Sequence, residues 1–135
     1  MIEMFKANGY VPGVSLWGFP YDWRQDFSLP IIMNPLIDRI KSAYESCGGK
    51  KIDIISHSMG GLVFRTFCQL YPELVTKYVR RWITIASPFQ GASRMIEAML
   101  YGYTFGMPKI IVDPWVVSEM MVWYSLRLRG QMLGL

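Results

Sequence analysis

Ile52-Asp53-Ile54-Ile55-Ser56-His57-Ser58-Met59-Gly60-Gly61-Leu62 is the stretch of this chain that decides the fold. A short apolar run ends abruptly in the pattern Ser-x-Ser-x-Gly, and apolar residues at helical spacing follow at once. A nucleophile elbow has this build, in which a strand, a sharp turn and a helix together present one serine hydroxyl. Serine is also a common helix cap. The strand before Ser58 and the helix after it favour the elbow over a simple cap.

The small residues of the motif fit the steric demands of such a turn. The residues two before and two after the elbow serine come close together, so both should be small, and here they are Ser56 and Gly60. Glycine is usual at the first of these positions, so Ser56 departs from the common pattern while remaining small. The helix that begins near Met59 directs backbone N–H groups toward Ser58. The sequence therefore predicts Ser58 as a nucleophile and the Met59 N–H as a donor to the oxyanion formed when a serine attacks a carbonyl.

Length and composition bound the remaining choices. The chain has 135 residues, which suits one domain at most. It is 52% hydrophobic with a net charge of +4, and its basic residues are too scattered to indicate a nucleic-acid-binding surface. No apolar run reaches the roughly 18 residues of a membrane-spanning helix, and no signal peptide is visible. The two cysteines fall on apolar faces of predicted helices, which favours buried free thiols over a disulfide or a metal site.

Apolar periodicity divides the first two thirds of the chain into strands and helices. Strands are predicted at 14–19, 51–55 and 81–86, and helices at 35–47 and 59–71. The first of these helices is predicted to begin with Asn34 as its N-cap and Pro35 in its first turn, and to end at Gly48-Gly49. Strands that alternate with helices predict an α/β fold with a parallel sheet.

The character of the sequence changes near its end. Residues 94–135 hold six of the ten methionines and many aromatic residues, without a continuing sheet pattern. One interpretation is an apolar cap over the site, since Met-rich surfaces adapt to varied partners. The other is an ordinary buried helical segment. We therefore divide the chain into the central part of an α/β core, residues 1–93, and an apolar helical cap-like segment, residues 94–135, of the same domain.

Three segments stand in a distinctive order. They are residues 19–25 (Phe-Pro-Tyr-Asp-Trp-Arg-Gln), residues 54–62 around the elbow, and residues 82–92 (Trp-Ile-Thr-Ile-Ala-Ser-Pro-Phe-Gln-Gly-Ala). Together they resemble the lecithin:cholesterol acyltransferase-like family, which includes phospholipases. The elbow is common to many α/β-hydrolases, whereas the Tyr-Asp-Trp-Arg segment is much more specific. The resemblance covers roughly residues 1–105.

This resemblance implies an α/β-hydrolase fold, of which the chain would be a fragment, and a serine acyl-enzyme mechanism on lipid esters. Ser58 matches the family's nucleophile, and the Met59 N–H matches one oxyanion donor. The expected partner is a phospholipid or another lipid ester, with contact to a membrane surface and no nucleic acid. No metal-ligand cluster or phosphate-binding glycine loop is visible, so no cofactor and no metal are expected. The compartment is left open, with an intracellular or membrane-associated protein favoured.

Two further residues are candidates for substrate binding. In an extended segment Asp22 and Arg24 point the same way and can pair, with Trp23 opposite. Arg24 has the geometry to bind a carboxylate or a phosphate, although an ion pair and a buried Trp23 that lock the loop are favoured. Phe89 follows the last predicted strand at its carboxyl end, where open α/β sheets bind ligands. It is a candidate to line an acyl channel, or it is a plain core residue.

One part of a serine esterase is missing from the sequence. The serine needs a base to take its proton, and in this fold a histidine that follows the serine in the chain supplies it. The only histidine is His57, whose side chain an elbow directs away from Ser58. Asp113 and Glu119 follow Ser58, but no histidine does. The 135 residues are therefore expected to be an internal piece of a longer enzyme, and to be inactive alone.

Two other functions are compatible with these residues. A non-catalytic lipid-binding or interaction protein would keep the elbow as a scaffold, which fits the missing base and the apolar segment 94–135. Another α/β-hydrolase, such as a thioesterase or a carboxylesterase for small soluble esters, fits the elbow but not the Tyr-Asp-Trp-Arg segment.

Overall fold

A computed structural model of the chain describes residues 1–91. These residues form, in order, helix α1 (Ile2–Ala7), helix α2 (Pro30–Ser46), strand β1 (Ile52–His57), helix α3 (Gly60–Leu70), helix α4 (Pro72–Tyr78) and strand β2 (Val79–Ile85). The predicted cap-like segment 94–135, and with it the proposed division of the chain, lies outside the described residues.

The two strands are parallel neighbours, as their order along the chain predicts. A parallel pair needs a long connection between its strands, and α3 and α4 provide it here. The register pairs Ile54 with Trp82 in the middle of the strands and His57 with Ile85 at their ends. Both strands therefore finish at one edge of the sheet, and the turn at Ser58 and the loop after Ile85 start from that edge.

The core lies on one face of this sheet. Apolar residues at helical spacing give α2 and α3 a common buried side, and Phe67 and Met33 are its most deeply buried side chains. Ile54 and Trp82 pack against the core from the strands. The buried members of the cluster are Ile32, Met33, Leu36, Ile40, Val63, Phe64, Phe67 and Tyr78.

The strand predicted at residues 14–19 is wrong. This segment begins with a tight turn, in which the N–H groups of Val14, Ser15 and Leu16 all donate to the C=O of Val11, at 3.1, 2.9 and 3.0 Å. Alternating apolar and polar residues make a strand only where a neighbouring strand pairs with them. Within the part of the chain that the structure describes, no strand pairs with this segment, and the sheet has the order β1-β2.

The start of α2 also differs from the prediction. The helix begins at Pro30, one turn before Asn34, with Leu29 as its N-cap. Proline suits the first helical position, because the N–H that it lacks would have no partner inside the helix. Pro35 therefore lies within the helix rather than at its start, at an exposed position where it removes one N–H donor.

The two glycines after α2 end the helix as predicted. Gly48 and Gly49 take left-handed φ angles of 66° and 75°, and the N–H of Gly49 donates to the C=O of Tyr44 at 3.0 Å. Pro72 ends α3 as expected but also opens α4, which the sequence analysis missed. Proline does both because it terminates a preceding helix and is favoured at the first position of the next.

Candidate active site

Ser58 lies at the tip of the turn between β1 and α3. Its φ is 52°, in the left-handed region, which costs a residue other than glycine roughly 1–2 kcal/mol. Its N–H donates to the C=O of Ile85 at 2.9 Å, and its own C=O accepts the N–H of Gly61 at 3.0 Å. The residue is exposed. The backbone thus has the strand–turn–helix form that the motif predicts.

The tightest place in this turn is one residue later than expected. A Cβ on Gly60 would lie 3.9 Å from the Cβ of Ser56, which is an ordinary van der Waals distance. A Cβ on Gly61 would instead overlap the side chain of Ser87, whose Oγ occupies that place. Sterics therefore require glycine at position 61 rather than at position 60.

Ser56 has a role that sequence reasoning missed. It is only 7% exposed, and its Oγ accepts a hydrogen bond from Trp82 Nε1 at 2.9 Å. The indole ring packs against the Phe64 ring, with the centroids 5.1 Å apart. The serine that replaces the usual glycine therefore anchors a β2 side chain beneath the elbow. Residues 54 and 82 are register partners, so alternation along both strands was a signal that could have found this contact.

No base is assembled around Ser58 within residues 1–91. The Ser58 hydroxyl forms no hydrogen bond with another described residue, and neither does the His57 imidazole. His57 is exposed, and alternation along β1 places it on the opposite face from the buried Ser56. A triad requires the imidazole to accept a hydrogen bond from the serine hydroxyl, and this pair does not meet that requirement.

The Met59 N–H stands at the start of α3. Met59 is the N-cap residue of the helix, and its C=O accepts the N–H of Leu62 at 3.0 Å. In the described part of the chain, its own N–H donates to no backbone group. Free N–H groups and the positive end of a helix dipole favour a negative charge at this place. The position fits the oxyanion donor that the sequence predicts.

The loop after β2 returns to the elbow. Ala86 has a left-handed φ of 50°, and the side chain of Ser87 lies against Gly61. The Phe89 ring meets the Trp82 ring edge-on at 5.8 Å, and its Cζ lies 3.4 Å from the place of a Cβ on Gly61. Phe89 is 38% exposed. The structure therefore brings Phe89 to the elbow, while its contact with an acyl chain stays a prediction.

Asp22 and Arg24 form the ion pair that the sequence predicts, but they do so in a turn, in which the Gln25 N–H donates to the Asp22 C=O at 3.1 Å, and not in an extended segment. Arg24 Nε donates to Asp22 Oδ1 at 2.8 Å, and Arg24 Nη2 donates to Asp22 Oδ2 at 2.9 Å. These hydrogen bonds lower the pKa of Asp22 to about 2. Trp23 is 54% exposed, so the expected burial of its indole is wrong. Asp22 occupies the Nε and Nη2 side of the guanidinium, and a direct contact of Arg24 with a ligand stays a prediction.

Tyr21 is a residue of the site that sequence reasoning did not single out. Its hydroxyl oxygen lies 4.0 Å from the place of a Cβ on Gly60, so it reaches the first turn of α3. Its ring lies beside Phe19 and Phe27, at centroid distances of 6.2 and 5.9 Å. Burial raises the pKa of the Tyr21 hydroxyl, which is therefore a neutral donor near neutral pH. Alternation along a strand could not have signalled this contact, because residues 22–25 form a turn.

The other chemically reactive side chains are dispersed. Among residues 1–91, no three His, Cys, Asp or Glu side chains come together as a metal ion would need. Cys47 and Cys68 are free thiols and half-buried rather than buried, and burial raises the pKa of Cys68. The helices of this region are also too short or too polar to cross a membrane.

Known proteins are similar to this chain over far more than the elbow segment. A family model for lecithin:cholesterol acyltransferase matches residues 1–121. In Arabidopsis thaliana, phospholipase A(1) LCAT3 is 42% identical and lecithin-cholesterol acyltransferase-like 4 is 36% identical, each over 126 residues and 90% of this chain. The human lysosomal phospholipase A and acyltransferase is 28% identical over 122 residues, or 88% of this chain.

These relatives are much longer than the chain. The alignments cover 28%, 24% and 29% of their respective lengths. No solved structure gives a significant match. The family model nevertheless extends over most of the sequence, and it contains the elbow and both flanking segments. The chain therefore belongs to the lecithin:cholesterol acyltransferase family.

Proposed function

We propose that the chain carries the nucleophile of a lipid acyl-ester hydrolase or O-acyltransferase, and that Ser58 forms the acyl-enzyme. The observation that carries this proposal is the left-handed backbone of Ser58 at the strand–helix turn. Strain at a residue other than glycine persists only where its surroundings hold it, and such residues cluster at active sites. The phospholipase and acyltransferase names of the relatives support a lipid ester as the substrate.

The proposed reaction proceeds through an ester of Ser58. Its Oγ attacks the carbonyl carbon of the lipid ester, and the hydroxyl proton passes to a general base. The Met59 N–H stabilises the negative charge that develops on the carbonyl oxygen. Collapse of the tetrahedral intermediate breaks the bond to the lipid alkoxide, which takes up the proton and leaves as an alcohol. Water or a second alcohol then attacks the acyl group, which leaves as an acid or a new ester and restores the Ser58 hydroxyl.

Substrate contacts complete the proposal. Phe89 lies beside Gly61 at the elbow, where its ring can contact an acyl chain. Arg24 is 65% exposed, so its guanidinium can also approach a phosphate from the side that Asp22 leaves open. Lipid esters are presented at a lipid–water surface, and we propose that the protein contacts a membrane there. The free state of both cysteines agrees with an intracellular compartment.

The Ser58 hydroxyl has no hydrogen-bond partner among residues 1–91, which favours a second candidate function. A protein whose serine lacks a base binds a lipid without cleaving it and retains the elbow as a scaffold. This function predicts binding to phospholipid vesicles that does not change on Ser58→Ala. The first function predicts covalent chemistry that the same substitution abolishes.

Labelling with a fluorophosphonate probe decides between them. The intact mass of the endogenous protein is measured first, against 15.6 kDa for these 135 residues, so that the assayed polypeptide is the one that the cell makes. We expect the probe to label this polypeptide and to fail on Ser58→Ala. The matched control is Ser42→Ala, which removes an exposed serine on α2 and should keep the labelling. Labelling that survives Ser58→Ala would overturn the proposal.

A chimera tests turnover. The 90% of this chain that aligns with Arabidopsis phospholipase A(1) LCAT3 replaces the corresponding part of that enzyme. We expect this chimera to release fatty acid from dispersed phospholipid and to lose the activity on Ser58→Ala. A new ester formed on addition of a lipid alcohol would indicate acyl transfer, and fatty acid alone would indicate hydrolysis. A preference for short soluble esters would instead support an esterase of another kind.

A further inference from the structure

Among residues 1–91, two residues other than glycine have a left-handed backbone, and they stand side by side at one edge of the sheet. Ser58 has a φ of 52° and directly follows β1, while Ala86 has a φ of 50° and directly follows β2. The residues just before them, His57 and Ile85, are register partners in the parallel pair. Such conformations are unfavourable for both serine and alanine, so contacts nearby must hold them in place.

The backbone of Ser58 is held at both of its polar groups. Its N–H donates to the C=O of Ile85, the residue before Ala86, at 2.9 Å. Its C=O accepts the N–H of Gly61 at 3.0 Å, so the first turn of α3 is joined to the same residue. The orientation of Ser58 therefore depends on where the end of β2 and the first turn of α3 lie relative to each other.

Ser87 fixes that relation by filling space over Gly61. Its Oγ occupies the place that a Cβ on Gly61 would take, and its Cβ lies 2.5 Å from that place. The left-handed turn at Ala86 directs the chain after β2 back toward α3, which makes this contact possible. The Ser87 Oγ is buried and has no hydrogen-bond partner among the described residues. The contact is therefore steric, because no hydrogen bond within residues 1–91 explains why the hydroxyl lies there.

We propose that Ser87 is a positioning residue for the nucleophile. By packing on Gly61 it sets the first turn of α3, and through the Gly61 N–H it sets the carbonyl of Ser58. The Met59 N–H belongs to the same turn, so the proposed oxyanion donor is set together with the nucleophile. This inference rests on the proposed function of Ser58. It adds the prediction that the Ser87–Gly61 contact controls the rate of acylation.

Two adjacent glycines provide the test. Gly61→Ala places a methyl group where the Ser87 side chain lies, whereas Gly60→Ala places one at an ordinary distance of 3.9 Å from the nearest atom. In the full chain, we expect Gly61→Ala to slow fluorophosphonate labelling on the order of tenfold or more, because small misplacements of reacting groups are costly. Gly60→Ala, which causes no such overlap, should slow labelling far less than Gly61→Ala does. Gly61→Ala combined with Ser87→Gly should recover most of the rate, because the second change vacates the space.

The labelling rate is measured at several probe concentrations, well below the unfolding temperature of each variant. A positioning role predicts that the rate at saturating probe falls while the half-saturating concentration stays, whereas partial unfolding would lower the labelled fraction. Amide hydrogen exchange at Ser58 gives a readout that needs no chemistry. Exchange at that N–H should accelerate in Gly61→Ala, remain slow in Gly60→Ala and become slow again in the double variant.

The outcomes separate this inference from the proposed function. If the unaltered chain does not label, the proposed function fails. Amide hydrogen exchange at Ser58 then tests by itself whether Ser87 holds the elbow. If the chain labels but Gly60→Ala and Gly61→Ala behave alike in both readouts, Ser87 is not a positioning residue. A Gly61→Ala defect that Ser87→Gly does not repair would overturn the inference in the same way.

Discussion

Different contacts stabilise the two edges of the β1–β2 sheet, that is, the edge where both strands begin and the edge where both strands end. At the edge where the strands begin, Asp53 accepts hydrogen bonds from Arg80 Nε at 2.9 Å and from Arg81 Nη2 at 2.9 Å. Hydrogen bonds from these two guanidinium groups hold the pKa of Asp53 well below its usual range. At the edge where the strands end, Ser58 and Ala86 are in left-handed conformations, and the Ser58 hydroxyl has no described partner. The first edge carries ion pairs and a register shift between Ile52 and Asp53, whereas the second carries the two left-handed residues.

Within a single pair of strands, one edge therefore carries stabilising contacts and the other carries the candidate active site. Ligands of open α/β sheets bind at the carboxyl ends of the strands, so the open groups of this protein stand at the edge where a substrate would arrive. A strained residue persists only if contacts elsewhere outweigh its cost. Trp82 provides such contacts, since its ring packs on the core and its N–H reaches Ser56 beneath the elbow.

The largest expected effect is on the free energy of unfolding, and it compares the two contacts that attach β2, the packed Trp82 ring and the Arg81 ion pair. Trp82→Ala should lower the free energy of unfolding by about 3 kcal/mol, because it removes a large packed ring. Arg81→Ala, at the neighbouring position, should have a much smaller effect, since Arg80 still binds Asp53 and both guanidinium groups are exposed. Urea unfolding of the two variants measures the difference. Equal losses would show that the ion pairs anchor the strand as strongly as the indole does.

The next effect concerns the strain itself. Ser58→Gly should raise the free energy of unfolding by about 1 kcal/mol, because glycine adopts a φ of 52° without a steric penalty. Ser58→Ala should leave it unchanged, since alanine meets the same restriction. Both variants should lose fluorophosphonate labelling if Ser58 is the nucleophile. Thermal unfolding compares them, and a glycine variant no more stable than the alanine variant would contradict the assigned strain.

A comparable effect is expected for the hydrogen bond beneath the elbow. Ser56→Ala leaves the Trp82 Nε1 donor without its acceptor and should cost about 1 kcal/mol. Trp82→Phe removes the donor instead. If the hydrogen bond is the shared cause, the double variant should lose less than the sum of the two single variants. Additive losses in the same unfolding assay would assign them to packing.

The smallest effect at neutral pH belongs to the ion pairs. The depressed pKa of Asp53 means that its pairing stabilises the folded state fully above roughly pH 4, and that this contribution disappears as the pH falls through the lower folded-state pKa. Asp53→Asn should therefore make the stability less dependent on pH between neutral and strongly acidic solution. High salt should shrink the difference between the two proteins. The loss caused by Ser56→Ala should stay the same over this range, since neither Ser56 nor Trp82 titrates.

The elbow and the parallel pair could be predicted because their signals are local. Ser56, Ser58 and Gly60 carry the turn within five positions, and an apolar run and a helical pattern flank them. Pairing of the two strands follows from the helical connection between them, which a parallel arrangement requires. The ion pair of Asp22 with Arg24 was predictable from their closeness in the chain, but the extended backbone assumed for it was wrong, because the two residues lie in a turn closed by the hydrogen bond from the Gln25 N–H to the Asp22 C=O.

The errors arise where a local signal depends on distant contacts. Asn34-Pro35 carries the features of a helix start, yet the helix begins at Pro30, because Ile32 and Met33 belong to the buried face of α2. The exposure of Trp23 and the absence of pairing at residues 14–19 depend on which elements lie beside them. Neither is encoded in the alternation of residues along the segment.

The contacts that complete the site are the least visible from the sequence. Ser87 meets Gly61, and Tyr21 reaches the start of α3, only after the strand order and the loop conformations are set. The left-handed Ala86 has no sequence signal, because alanine ordinarily avoids that conformation. The assignment of Ser58 as nucleophile stays a prediction until the labelling experiment is done.

The hydrogen bond from the Ser58 N–H to the Ile85 C=O also has a consequence for the order of folding. The acceptor is synthesised 27 residues after the donor, at 85 against 58, so a nascent chain that ends before residue 85 cannot form this hydrogen bond. Closing a loop of this length must precede the turn, and such closures slow folding. The hydrogen bond that holds Ser58 can therefore form only after the ends of β1 and β2 have come together. In a chain whose strands have not yet paired, Ser58 would be free to take an ordinary backbone conformation and would not be positioned as a nucleophile.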